Sequence, residues 1–307
     1  MRLEGIHHIT AITGDAPRNV DFYTRVLGLR LVKKSVNQDD PTVYHLFYAD
    51  EKGSAGSDLT FFEYPGAPPG RAGRGMVHLV SWRVASEDGL SFWAERLAGE
   101  GVAVDRPRGG ALGFADPEGL RHELVVDDSG DEPLIAEHPE IPAAHALRGF
   151  GGVRAYASEP ERSRALLERG LEFQPSAEGW EVRGTSRGAT YVYDAPPGEA
   201  GIQGAGTVHH VAWATVPDEQ TAWRDRILRA GAQPTPVIDR FYFKSVYFRE
   251  PSGVLFELAT IGPGFTTDEP LESLGEKLAL PPGYEPMRAQ IEATVTPLPN
   301  PRPARTS

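Results

Sequence analysis

Metal-binding side chains recur in this chain inside segments that otherwise read as buried strands. His7 and His8 lie within Gly5-Ile6-His7-His8-Ile9-Thr10-Ala11-Ile12, and His209 and His210 within Thr207-Val208-His209-His210-Val211-Ala212-Trp213. Glu257 lies within Gly253-Val254-Leu255-Phe256-Glu257-Leu258-Ala259-Thr260. Apolar and β-branched residues dominate all three segments, which is strand composition. A carboxylate in such a strand is costly unless it is paired or binds a metal. Two histidines and one carboxylate are the donor set that holds non-haem Fe(II) with positions left open for substrate and O2, and Mn(II) accepts the same donors. The chain has no cysteine, so a thiolate site and a disulfide framework are both excluded.

The elements that must position these groups form a repeat. Gly5–Ile12 reads as a strand, Asp15–Leu29 as a helix, and 31–36, 43–48 and 58–62 as three short strands. The order β, α, β, β, β returns from Gly75, from Gly149 and from Thr207, with helices near 87–99, 161–170 and 219–230. The predicted organisation is therefore module 1 over 1–70, module 2 over 71–130, a linker over 131–147, module 3 over 148–200 and module 4 over 201–261. Residues 262–307 form a C-terminal arm with some helix near 272–278, then a proline-rich tail that reads as frayed after Thr296. One module cannot cover both faces of its own sheet, so the modules should pair.

Register then selects the candidates. Each module's last strand follows a turn glycine, and four residues beyond it stand Thr60, Glu123, Val192 and Glu257. The first strands, aligned on their histidines, place His8, His78, Gly152 and His210 together. Because side chains alternate along a strand, these positions should share one face. Two complete sets result: His8, His210 and Glu257 from modules 1 and 4, or His8, His78 and Glu123 from modules 1 and 2, each with Thr60 in fourth place. The first is preferred, because His8 and His210 both sit in doublets whose other members, His7 and His209, can orient groups behind the ligands. His78 and Glu123 read as a relic site or a hydrogen-bonded polar pair.

Residues 239–249 read as one aromatic strand. If the turn at Glu250–Gly253 closes a hairpin, Tyr247 falls within about one residue of Glu257 across the ladder. A phenol and the Arg240 guanidinium beside a metal can move protons and stabilise oxyanions. The plainer alternatives are a salt bridge from Arg240 to Asp239 or another carboxylate, and a core phenol at Tyr247. Phe241, Tyr242 and Phe243 could pack a substrate ring or simply fill the core. His45 reads as a strand residue before a pocket residue; His122, His138 and His145 read as surface or linker residues, and Glu63 should face away from Thr60.

Ile6-His7-His8-Ile9-Thr10, Tyr44 to Asp50, Val208-His209-His210, Asp239-Arg240 with Tyr247, Phe256-Glu257, and Gly264-Phe265-Thr266 with Asp268-Glu269 resemble the hydroquinone-type ring-cleaving dioxygenases of the vicinal-oxygen-chelate superfamily (the glyoxalase, bleomycin-resistance and extradiol dioxygenase group). The resemblance spans 3–286. It implies an α+β fold in which four βαβββ modules pair into two cupped mixed sheets. It also implies an extradiol-type, non-haem iron enzyme whose metal sits between modules 1 and 4 on His8, His210 and Glu257. Supporting roles carry over to His7, Thr10, His209, Arg240 and Tyr247. The expected activity is O2-dependent opening of a hydroquinone or related dihydroxybenzene to an acid. A glyoxalase-type isomerase or lyase is the first alternative, although Thr60 stands where such sites use a fourth ligand. An aromatic-compound-binding resistance protein is the second.

Composition bounds the partners. Apolar residues make up 40% of the 307, and the net charge is −12. That acidity argues against nucleic acid and anionic membranes. No apolar run reaches the roughly 18 residues of a membrane span. The N-terminus passes directly into a strand, so a cytoplasmic protein without a leader is expected. The expected partners are a small aromatic substrate and O2, with a homo-oligomer left open.

Overall fold

The computed structural model describes residues 1–107 and 109–301. Its order is β1 (Ile6–Thr13), α1 (Ala16–Asp21), β2 (Arg30–Asn37), β3 (Asp40–Ala49), β4 (Asp58–Glu63), β5 (Val77–Val84), α2 (Glu87–Gly99), β6 (Val104–Asp105), β7 (Leu112–Ala115), β8 (Arg121–Val126), β9 (Phe150–Tyr156), α3 (Glu161–Arg164), β10 (Gln174–Pro175), β11 (Trp180–Arg183), β12 (Gly188–Asp194), β13 (Val208–Thr215), α4 (Gln220–Arg229), β14 (Ile238–Asp239), β15 (Lys244–Arg249), β16 (Leu255–Thr260) and α5 (Arg288–Thr294). α1 and α3 each run on into a π-helical turn, Phe22–Val26 and Ala165–Gly170.

Two eight-stranded mixed sheets result, ordered β14-β15-β16-β13-β1-β4-β3-β2 and β10-β11-β12-β9-β5-β8-β7-β6. The first joins the chain's first and last quarters through the antiparallel β1–β13 pair. The α+β class and the cupped mixed sheets read from the sequence are both present.

Alternation sorts the side chains. Phe256 and Leu258 enter one continuous apolar core with Trp213 of the same sheet and Trp82 and Leu124 of the other. Glu257 and Ala259 point the opposite way, beside a separate cluster of Phe47, Tyr242, Phe243 and Phe265. The large core pins the register: a slip of one residue in β16 would drive Glu257 into it and expose two large apolar groups.

The segment read as one aromatic strand is broken. Phe241 takes a positive φ of 69°, and residues 240–243 form a tight loop between β14 and β15. The loop lifts Arg240, Tyr242 and Phe243 onto the rim of the first sheet instead of threading them through it.

The arm after β16 straps β2. Lys33, fully buried, donates to Asp268, Glu269 and the Phe265 carbonyl. Arg30 donates to the carbonyls of Leu271 and Glu272, and Lys34 to that of Glu276. Near 272–278 the arm forms only a short 3-10 turn, Leu271–Ser273, and its α-helix falls later, at Arg288–Thr294. Thr296 donates to Glu63, and Leu298 packs on the core, so the tail is held beyond Thr296. The last six residues, 302–307, lie outside the described residues.

Candidate metal centre

His8 comes from β1, His210 from β13 and Glu257 from β16, three strands adjacent in one sheet. Among the described residues these are the only three metal-type side chains whose donor atoms lie within 4.8 Å of one another. All three are buried, at 1%, 4% and 0% exposure. Glu257 Oε2 stands 3.1 Å from His8 Nε2 and 2.9 Å from His210 Nε2, and the two imidazole nitrogens are 3.3 Å apart. Its other oxygen, Oε1, accepts from the Ser245 hydroxyl. Oε2 itself is buried and takes no well-directed hydrogen bond. A buried carboxylate oxygen left in that state is expensive, and a cation among the three donors would satisfy it.

The groups behind the ligands set their tautomers. His7 Nε2 lies 3.2 Å from the Thr260 carbonyl, which can only accept, so that nitrogen carries the proton. Burial, then His8, pushes the His7 pKa down to about 3, so its Nδ1 is a bare acceptor 2.9 Å from His8 Nδ1. His8 therefore donates from Nδ1 and, when neutral, turns the lone pair of Nε2 toward Glu257 and His210. His210 meets His209 Nδ1 to Nδ1 at 2.8 Å, and burial lowers the His209 pKa to about 4, so a neutral His209 is able to accept from His210 there. Orientation of a ligand histidine through its second nitrogen is how such sites are held. Burial by itself would raise the Glu257 pKa; the imidazoles of His8 and His210 override it and hold the carboxyl well below the usual range. Two neutral nitrogens and one carboxylate suit Fe(II) or Mn(II).

A cavity of about 460 Å³ opens on this cluster. Tyr247 pairs directly with Glu257 across the β15–β16 ladder, and its ring meets that of His210 edge-on at 5.8 Å. Burial, then the Glu257 charge, raises its pKa. Arg240 lies over the Tyr247 ring at 5.5 Å and forks onto Asp39, with both bonds at 2.9 Å. That partner is Asp39 of the β2–β3 turn; Asp239 instead accepts from the Phe241 amide. Thr10, fully buried, meets the Thr60 hydroxyl at 2.8 Å. Phe47, Phe62, Tyr242 and Phe243 supply an apolar wall. Tyr242 Oη donates to Asp268, tying the wall to the arm.

Several sequence expectations are corrected. His78 does not join His8. In the ladders Glu257 pairs with Ala212 and Glu123 with Ser81, so Leu79 stands where His210 stands and His78 matches His209. Aligning on histidine slipped the register by one; aligning Trp82 with Trp213 avoids the slip. His78 instead bonds Asp194 and stacks on Tyr156. Glu123 is held by Ser81, and burial raises its pKa. His122 is no surface residue: it is fully buried, accepts from Trp82 Nε1 and bonds Tyr23 Oη. His145 is half-buried, stacked on Phe92, and His138 lies in the linker. Glu63 faces away from Thr60, as expected, and accepts from the Ala16 amide. Sequence reasoning passed over Ser245, although alternation from Tyr247 puts it on the face of Glu257. Asp39 carried no local signal, because only folding brings it to Arg240.

The model of the Glyoxalase/Bleomycin resistance protein/Dioxygenase superfamily matches residues 5–124 and again 149–258. The chain belongs to that superfamily. Among its members, "Putative ring-cleaving dioxygenase MhqO" of Bacillus subtilis (strain 168) is 44% identical over 95% of this chain and 96% of its own. "Putative ring-cleaving dioxygenase MhqA" of the same organism is 41% identical over 97% of this chain and 100% of its own. The "Chlorohydroquinone/hydroquinone 1,2-dioxygenase" of Sphingobium indicum is 33% identical over 96% of each. The crystal structure of a "putative dioxygenase" from Bacillus subtilis superposes with a TM-score of 0.91 at 40% identity, over 98% of this chain and 99% of that one. Glyoxalase I of maize shares the fold at a TM-score of 0.58 and 18% identity.

Proposed function

We propose that this chain is a metal-dependent ring-cleaving dioxygenase for a hydroquinone or related dihydroxybenzene. The observation that carries the reading is the buried His8–His210–Glu257 cluster, with an orphaned carboxylate oxygen at its centre, at the floor of an aromatic-walled cavity. Those three residues would hold Fe(II) or Mn(II), which would supply redox activation of O2. Among the described residues the candidate ligands number three, and Thr60 occupies the register position of Glu257 in the first module. A hydroxyl there leaves room for substrate, which supports an oxygenase over a four-ligand isomerase. The names and extent of the relatives support the same reading.

The chain's own residues would share the remaining work. His7 and His209 hold the ligand tautomers. Tyr247, with its pKa raised, keeps its proton and donates a hydrogen bond to an oxyanion formed next to Glu257. Arg240, fixed by Asp39, places a permanent positive charge at the cavity rim, where a ring-opened carboxylate would emerge. Phe47, Phe62 and Phe243 exclude water and stack the ring.

The test is oxygen uptake by protein reconstituted anaerobically with Fe(II), then given air and a panel of hydroquinones and catechols. Uptake near one O2 per ring, with a ring-opened acid formed and the activity lost in Glu257→Ala, is the expected result. Absence of uptake across the panel, alongside turnover of a thiol hemithioacetal, would overturn the proposal.

A further inference from the structure

Beside the His8–His210–Glu257 cluster lies a histidine, His45, that none of the roles above uses. His45 Nε2 bonds Thr60 Oγ1 at 2.9 Å, and Thr60 Oγ1 meets Thr10 Oγ1 at 2.8 Å. The ladders define what this pair is. Tyr247 pairs with Glu257, and Ser245, two residues earlier, bonds Glu257. Phe47 pairs with Thr60, and His45, two residues earlier, bonds Thr60. His45 and Thr60 in the first module therefore occupy the places of Ser245 and Glu257 in the fourth. The chemistry is exchanged between the two positions. In the fourth module the inner residue is an acid and the outer one a hydroxyl; in the first, the inner is a hydroxyl and the outer an imidazole.

The exchange moves an acid–base group away from the metal by one strand. Two strand spacings in the sheet order β1-β4-β3 and a four-residue offset along the strands, with His8 level with Asp58 and His45 level with Phe62, separate the two residues by roughly 16 Å between backbones. Both side chains line the same cavity, so the gap between them is one that a bound ring would fill. The imidazole is held between Phe47 and Phe62, at centroid distances of 3.9 and 4.4 Å. Among the described residues no protein group bonds its Nδ1. Burial, then the nearby histidines, pushes its pKa well below the ordinary value, so at rest it is a neutral acceptor.

We propose that His45, braced by the Thr60–Thr10 hydroxyl pair, is the second anchor of a para-dihydroxybenzene, accepting the hydrogen bond and then the proton of the hydroxyl opposite the metal-bound oxygen. The substrate O–H bond breaks, an N–H bond forms at Nδ1, and the electron pair stays on oxygen as phenolate. Nε2 carries the ring proton throughout and donates to Thr60 Oγ1, which passes its own hydrogen bond to Thr10, so the brace is unchanged by the transfer. A catechol places both oxygens at the metal end and leaves His45 unmatched, so this residue selects the 1,4 pattern. The assignment rests on the dioxygenase reading above.

The test compares hydroquinone with 4-methylphenol, which has nearly the same shape but no second hydroxyl. Anaerobic binding to Fe(II)-loaded protein is measured by calorimetry, and O2 uptake follows. Wild type should bind hydroquinone about tenfold or more tightly than 4-methylphenol, the discrimination of a site built to bond a hydroxyl. His45→Phe should bring that ratio close to one by weakening hydroquinone alone. His45→Gln, which can still bond Thr60, should recover binding but not turnover. Thr60→Val reads the same ratio if the phenylalanine variant does not fold. An undiminished ratio in His45→Phe or Thr60→Val, or equal weakening of both ligands, would overturn the assignment while leaving the dioxygenase reading intact. A wild type that binds no dihydroxybenzene and consumes no O2 would remove both.

Discussion

Replacing Glu257 by glutamine should abolish the stability that metal binding adds to the protein. Without metal, the wild-type protein buries a carboxylate whose Oε2 takes no well-directed hydrogen bond. A glutamine amide at that position offers N–H groups to imidazole nitrogens at 2.9 and 3.1 Å, and its carbonyl still accepts from Ser245. The metal-free variant exchanges the carboxylate's ion pairs with His8 and His210 for these neutral hydrogen bonds, and its stability should change by no more than about 1 kcal/mol, the net worth of a typical hydrogen bond. With metal at a hundredfold excess over its dissociation constant, wild type should gain about 2.7 kcal/mol by mass action. Unfolding entropy of about 2.1 cal/mol/K per residue, over 307 residues, converts these into shifts of about 4 °C on metal binding and 1–2 °C for the substitution. The assay is thermal unfolding of both proteins in chelator and in Fe(II) or Mn(II) under nitrogen. The expected outcome is a metal-induced shift in wild type that vanishes in the variant, whose chelated form melts within about 2 °C of wild type. A variant that kept the shift would place the metal elsewhere. A chelated variant several degrees less stable would mean that Glu257 serves the fold through ion pairs with His8 and His210.

Three further perturbations test the supports. Ser245→Ala should weaken metal binding by about tenfold, the low end of the effect of removing a ligand's hydrogen-bond partner; equilibrium dialysis checks it, and unchanged affinity would show that Glu257 needs no such brace. Burial raises the Asp116 pKa from 3.8 to about 6, so this carboxyl's contribution to stability is full below about pH 4 and is lost as pH rises through about 6. Urea unfolding of wild type and Asp116→Asn should therefore show a stability difference that changes by roughly 3 kcal/mol across that window, whereas a constant difference would contradict the shift. Lys33→Met leaves Asp268 and Glu269 without their cation; because those carboxylates are partly exposed, at 21% and 11%, the cost should be about 3 kcal/mol, the lower end for a broken buried pair. The same variant should weaken ring binding, since Tyr242 shares Asp268 with Lys33, and calorimetry with hydroquinone would detect it.

The repeat, the strand order within each module and the candidate ligand trio were all legible locally. A strand that carries a large core face pins its own register, so counting four residues from a turn glycine found Glu257, and the histidine doublets found His8 and His210. The same counting misplaced His78, because histidine was used as the fiducial where the buried tryptophans Trp82 and Trp213 hold the register. His122 was misread because a polar residue announces burial only through its partners, and those partners, Tyr23 and Trp82, come from distant strands and helices.

What the sequence alone determined was which residues lie on which face of each strand, since alternation and turn chemistry act over a few residues. Which faces meet was decided only by the tertiary structure. Asp39 reaches Arg240 across 201 positions, Lys33 reaches Asp268 across 235, and His45 reaches Thr60 from a neighbouring strand. These contacts form because closing one large sheet from the two ends of the chain buries apolar surface on its core face. The polar groups on the opposite face are carried into contact by that closure, and no local pattern in the chain records it.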